Sequence, residues 1–201
     1  LSFLHYAPLN TDGVLARNAL IIHFFQQNPH CVLIVDVSVE VALFARLCGI
    51  PTVVVKQHGH RGDLPHRMAY ESAEIILAPY AQALEAAVDP AIANKIVYTG
   101  GFSRYTGSSN NGCTNAENSE NVAIFVGEGG SKIDLRFIRH LRDQVGPGMH
   151  LHVIGHMEGI VELPNTTFHG HTHTPEHILS VCDIVICNAG HNTIMELCDL
   201  R

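Results

Sequence analysis

Short apolar runs of strand length alternate along the chain with longer stretches whose apolar residues recur at helical spacing. That alternation marks strand–helix–strand units built around a parallel sheet. Positions 32–35 read as a buried strand ending at Asp36. Positions 38–48 read as a helix with Val41, Phe44, Ala45 and Cys48 on its inner side, ended by Gly49. Pro51 leads a second strand over 52–55, and the polar loop 56–65 precedes a helix over 66–73. Further strands are expected at 74–78 and 95–98.

Between 100 and 121 the period is lost. The run Thr106-Gly-Ser-Ser-Asn-Asn-Gly-Cys-Thr-Asn-Ala is polar and turn-rich, as an exposed linker or long loop is. The alternation then restarts, with strands at 121–126, 150–154, 166–168 and 183–187 and helices at 134–145 and 175–180. The turn at 188–190 opens a last helix. The expected organisation is two α/β halves, 1–103 and 120–201, joined by a linker at 104–119, with no internal repeat.

Composition narrows the function classes. A 46% hydrophobic, 15% charged chain can bury a core, and a formal charge of -7 with no Lys/Arg cluster excludes a phosphate-backbone binder. Six cysteines, at 31, 48, 113, 182, 187 and 198, lie in largely apolar surroundings without CxxC spacing. They read as reduced core residues of a cytoplasmic protein. No apolar run approaches membrane-spanning length, and the first residues do not form a signal peptide. The chain begins without Met and stops inside a helical pattern, so both ends read as cuts.

Four stretches could carry chemistry. In the stretch over 183–196 a buried strand feeds a small-residue turn and then a helix beginning His191-Asn192-Thr193. Free N–H groups and the positive dipole end make such a start an anion site, with Gly190 allowing close approach and Glu196 one turn on. The plain alternative is a helix capped by Asn or Thr. The second stretch, Phe168-His-Gly-His-Thr-His-Thr-Pro-Glu-His177, is rich enough in imidazole to raise a zinc site, but no companion Cys or Asp set completes it. The third, Val126-Gly-Glu-Gly-Gly-Ser131, is either a phosphate cradle or an ordinary strand-to-helix turn. The fourth is Lys56-Gln-His-Gly-His-Arg-Gly-Asp63. It follows a strand's carboxyl end, where α/β proteins bind ligands, and otherwise reads as solvated loop. Asp36, at another strand end, equally suits a helix cap.

Asn188-Ala-Gly-His-Asn-Thr-Ile-Met-Glu196 resembles the donor signature of GT-B glycosyltransferases and is similar to the C-terminal domain of glycosyltransferase family 28. The family includes the enzyme that adds N-acetylglucosamine to the peptidoglycan lipid precursor. Asn188 departs from the related plant motif, which has His there. The resemblance implies that Gly190, His191, Asn192 and Thr193 bind the donor diphosphate, Glu196 the ribose, and Gly170 and His171 the base. It places Gly127, Gly129, Gly130 and Ser131 in a phosphate or sugar loop and Gln57 and His58 on the acceptor side, with Lys56 and His58 replacing Glu and Asn of the family pattern. His58 is the candidate base within this chain, the family's usual base being expected upstream of Leu1.

The fold so implied is two Rossmann-like parallel-sheet domains facing a cleft, truncated at both ends. The implied reaction is transfer of a hexose or N-acetylhexosamine from a UDP-sugar to a lipid-linked or saccharide hydroxyl, in envelope or polysaccharide synthesis. UDP-sugar is then a substrate, and no metal or cofactor is expected. Peripheral contact with the membrane's inner face would come through segments outside this chain, and the 201 residues alone are expected not to turn over. Rival readings are a nucleotide-sugar 2-epimerase of the same architecture and a non-catalytic sugar-nucleotide- or metal-binding protein.

Overall fold

The computed structural model describes residues 6–59, 61–85, 87–107, 120–127 and 132–200. The chain divides into two compact units, Leu1–Gly101 and Phe102–Arg201, each built on a four-stranded, wholly parallel sheet with helices. The α/β architecture expected from the alternation is the one observed.

In the first unit, helix α1 (Asp12–Gln27) precedes β1 (Leu33–Asp36), α2 (Val39–Leu47), β2 (Thr52–Val55), α3 (Leu64–Ser72), β3 (Ile75–Ala78) and β4 (Ile96–Tyr98). The strands lie in sequence order, β1-β2-β3-β4. Val35, Val54 and Ile76 face Val39, Ala42, Ala69 and Tyr70 in one core. Alternation sends Ile34, Ile75 and Val97 to the other face, where they are 68%, 42% and 48% exposed. Helix α1, which the sequence pattern did not single out, reaches the core through buried Phe25, against Ala45 and Ile50, with Ile21 packed beside it. Its apolar residues surround the helix and form no stripe, so Leu15 and Leu20 stay exposed.

In the second unit, β5 (Asn121–Phe125), α4 (Leu135–Gln144), β6 (His150–Ile154), β7 (Thr166–Gly170), α5 (Glu176–Leu179), β8 (Ile184–Cys187) and α6 (His191–Asp199) follow in turn. The spatial order is β7-β6-β5-β8. Val122 and Ile124 pack with Ile138 of α4 on one face of β5. Ala123 packs with Leu179, Leu197 and Leu200 on the other. Ile124, Ile138 and Leu151 are fully buried, each worth roughly 1.5–3 kcal/mol against exposure. Strand β7 runs two residues beyond the expected 166–168, past a register shift at Val153/Ile154, and so carries His169 and Gly170 within the sheet.

Two features have no local sequence signal. Arg142 donates to the carbonyls of Met149 (2.7 Å) and Gly146 (2.7 Å), with longer bonds to Val145 and Asn165 (both 3.3 Å), and so pins the turn between α4 and β6. Gly155, at φ +115°, follows β6 where any Cβ would run into the Val126 carbonyl oxygen. The cysteines need correction. Among the described residues only Cys182 is buried, donating to the Ile178 carbonyl, while Cys48 and Cys198 are exposed at helix ends and Cys31 and Cys187 are half-buried. Cys113 lies outside the described residues.

Candidate functional site

Within the second sheet the chain order reverses at β5. It runs outward through β6 to β7, then returns to add β8 on β5's other side. Helices α4 and α6 leave these neighbouring strands toward opposite faces, and their loops part at the carboxyl edge. Ligands of open α/β sheets bind in that crevice. Phe125 pairs with Cys187, so Val126-Gly127 and Asn188-Ala189-Gly190 leave the sheet side by side.

Helix α6 opens in that crevice without a side-chain cap. Gly190 is the N-cap, with φ -60° and ψ 146°, and has no side chain with which to cap the first turn. The alternative of an Asn- or Thr-capped helix is thereby corrected, because Asn192 and Thr193 lie inside the helix and not before it. A helix start that its own cap residue does not satisfy suits an incoming acceptor. Ala189 is held at φ +52°, a left-handed conformation rare for a residue with a Cβ, in the turn that aims this helix. Asn188, Ala189, Gly190 and Asn192 are exposed, while His191, Thr193 and Glu196 are half-buried.

Glu196 is engaged by a partner that the motif did not suggest. Arg104 Nε lies 3.0 Å from its Oε1, and the Arg104 guanidinium also stacks 4.8 Å from the Tyr105 ring centroid. The whole turn 103–106 is tied to α5 and α6 of its own unit. Ser103 and Thr106 donate to Asp199 Oδ2 at 2.7 and 2.6 Å, and Tyr105 donates to Glu176 Oε2 at 2.9 Å. Those two hydroxyls hold the Asp199 carboxyl below its ordinary range. Burial, with the Glu176 bond, lifts the Tyr105 phenol to about 12.

Gly170 closes β7 at φ +64°, and its carbonyl accepts from Gly155 N–H at 2.8 Å. His171 follows, edge-on to His173 at 5.2 Å. Beside them a row of imidazoles crosses the sheet: His150 is 4.6 Å from His152, which stacks 5.2 Å from His169 with Nδ1 and Nε2 3.0 Å apart. Burial and the neighbouring rings push His152 down to about 4, and burial with His150 lowers His169 as well. Among the described residues no group of three or more His, Cys, Asp and Glu is arranged to hold a metal ion. Of the glycine-rich loop, Gly127 is described and exposed. Gly129, Gly130 and Ser131 lie outside the described residues.

In the first unit, Gln57 Oε1 accepts from Arg61 at 3.1 Å, and His58 Nε2 meets the Leu84 carbonyl at 3.1 Å. His58 stands edge-on to Tyr80 at 5.2 Å. Behind them is a buried group: Lys56 Nζ lies 2.8 Å from Tyr80 Oη and 2.9–3.0 Å from both Glu85 oxygens. Tyr80 donates to Glu85 at 2.6 Å. Burial raises the Glu85 carboxyl, but the Tyr80 and Lys56 bonds together outweigh it and hold the group below its usual range. Burial and Glu85 push the Tyr80 phenol far up. Asp63 caps α3 and binds His66 Nδ1 at 2.8 Å, which lowers the Asp63 carboxyl.

The fold is that of GT-B glycosyltransferases: two parallel-sheet α/β units that match such structures over about nine-tenths of this chain. The glycosyltransferase of kitacinnamycin matches at TM-score 0.61 with 16% identity, covering 91% of this chain and 59% of its own. The spinosyn rhamnosyltransferase SpnG matches at TM-score 0.55 with 18% identity, covering 90% and 54%. Anabaena HepE, solved in complex with UDP and glucose, matches at TM-score 0.50 with 14% identity, covering 89% and 58%. The chain thus spans a little over half the length of these proteins. Neither a protein-family model nor a curated protein sequence matches it. Among the described residues no helix is long and apolar enough to cross a membrane.

Proposed function

We propose that this chain binds the nucleotide-sugar donor of a glycosyltransferase, a UDP-sugar, and takes part in moving a hexose or N-acetylhexosamine to a hydroxyl acceptor. One observation carries the reading: the uncapped N-terminus of α6 opens at the sheet's reversal point between β5 and β8. A diphosphate there would meet first-turn N–H groups of His191, Asn192 and Thr193 with the helix dipole behind them. The same contacts would stabilise the leaving diphosphate without a metal. Glu196, oriented by Arg104 through one oxygen, keeps the other for ribose hydroxyls. The base would lie at the end of β7, against the backbone of Gly170 and His171. The family 28 resemblance of 188–196 supports the reading, as do structural neighbours that are glycosyltransferases, one of them holding UDP and glucose.

The test is calorimetric titration of the chain with UDP. Replacing Asn192 and Thr193 together with Ala should weaken binding more than tenfold, each charge-assisted bond contributing about 1.5–3 kcal/mol. Unchanged affinity in a folded double variant would sink the diphosphate assignment.

A further inference from the structure

Crossovers in a parallel sheet are ordinarily covered by helices, and α2 and α3 do this for the first two in the first unit. The third, residues 79–95, forms only the one-turn 3-10 helices Gln82–Leu84 and Ala93–Lys95. A hollow of about 380 Å³ lies beside it, walled by Tyr70 of α3 and by Leu84, Val88, Ile92 and Ile96. The charges around it balance: Lys56, Arg61 and Arg67 stand against Glu71, Glu85 and Asp89. Lys56 is spent on Tyr80 and Glu85, and Arg61 on Gln57. Such a wall gives an ion no field to settle in, and it favours a neutral, apolar body.

Among the described residues, the His58 imidazole offers a polar atom to orient such a body. The Leu84 carbonyl can only accept, so His58 Nε2 carries the proton in their 3.1 Å contact. In the neutral imidazole, Nδ1 is then the bare acceptor. His58 lines the hollow, and Tyr80 holds its ring.

We propose that the hollow binds the apolar body of a neutral alcohol or phenol, whose hydroxyl donates to His58 Nδ1. This rests on the glycosyltransferase reading and narrows the acceptor to an apolar one. In transfer the hydroxyl proton passes to Nδ1 as the oxygen bonds the anomeric carbon, and the nucleoside diphosphate leaves with the electron pair of the broken C–O bond.

The experiment titrates the chain with 1-naphthol, 1-methoxynaphthalene and methyl glucoside. Saturable naphthol binding is expected with Kd of about 10 µM to 1 mM, an ordinary range for so small a ligand. Val88→Trp, which fills the hollow, should weaken it about tenfold or more, while Leu47→Trp on the exposed side of α2 should not. His58→Ala should lower naphthol affinity about 5–10-fold, the worth of one hydrogen bond, and leave 1-methoxynaphthalene unchanged. Absent saturation, indifference to Val88→Trp in a variant with unaltered circular dichroism, or preference for methyl glucoside would overturn the proposal. UDP titration separates the two readings. Naphthol binding without UDP binding keeps the hollow as a site for apolar alcohols and refutes its acceptor role. UDP binding without naphthol removes only the hollow.

Discussion

Replacing Lys56 with Met would leave the Glu85 carboxylate, its side chain 9% exposed, with Tyr80 as its remaining partner in the group. Stranding one member of a buried pair costs about 3–5 kcal/mol, and the lower end applies here because the group forms part of a cavity wall. Glu85→Leu alone should cost a similar amount by stranding Lys56. The double variant removes both charges, and its expected cost is about 1 kcal/mol or less. A double-mutant cycle should therefore show coupling of about 3 kcal/mol or more between the two positions. Urea denaturation at pH 7, followed by circular dichroism, measures all four proteins. The pair's contribution has a definite pH window. Glu85 titrates below its reference 4.5 in the folded chain, so the stability it lends is present above that value and drains away as pH falls through the folded value. In Lys56→Met the drain should begin at higher pH. Single variants within about 0.5 kcal/mol of the parent, or a double variant as costly as the sum, would refute the reasoning.

Two further outcomes are expected. His152 is held near 4 against 6.5 when unfolded, so the unfolded chain binds more protons between those values and stability falls as pH drops from about 6.5 toward 4. The shift would set a bound of about 3 kcal/mol, which water access reduces to about 1. His152→Gln should lose that much less between pH 7.5 and 4.5, and equal losses would count against a depressed imidazole. Arg104→Ala should change stability by less than about 1 kcal/mol, the pair being half exposed on the arginine side. The same variant should weaken UDP about threefold by freeing Glu196 to leave its posture, a loss of about 0.7 kcal/mol. Unaltered UDP affinity would detach Arg104 from the donor site.

Strand-length apolar runs with turn residues between them made seven of the eight strands legible to within one residue at each end, because each signal is local. β7 was short by two because a register shift, invisible in the sequence, carries His169 and Gly170 into the sheet. α1 escaped because its apolar residues girdle the helix without forming a stripe. The strand–turn–helix at 183–196 was legible as a strand, a turn and a helix start, since a glycine before a helix is a nearest-neighbour feature. What lay beyond reach was pairing at a distance: Arg104 with Glu196, Lys56 with Glu85, Arg142 with four carbonyls. A lysine directly after Val53-Val54-Val55 was a hint that some acid must meet it, though nothing in the spacing named Glu85.

The glycines near the candidate donor site are not under the same constraint. At Gly155 a side chain would strike the main-chain oxygen of Val126, the residue that begins the loop after β5, so the fold itself forbids any replacement. At Gly127 an added methyl would meet no atom within 4 Å among the described residues, and none of these requires glycine there. Natural sequences sharing this architecture should therefore keep position 155 fixed even where the catalytic role has been lost. Position 127 should drift in such lineages and stay glycine only where a ligand still presses against the loop. The contrast turns two small residues into a gauge of whether selection acts on the scaffold alone or on what it binds.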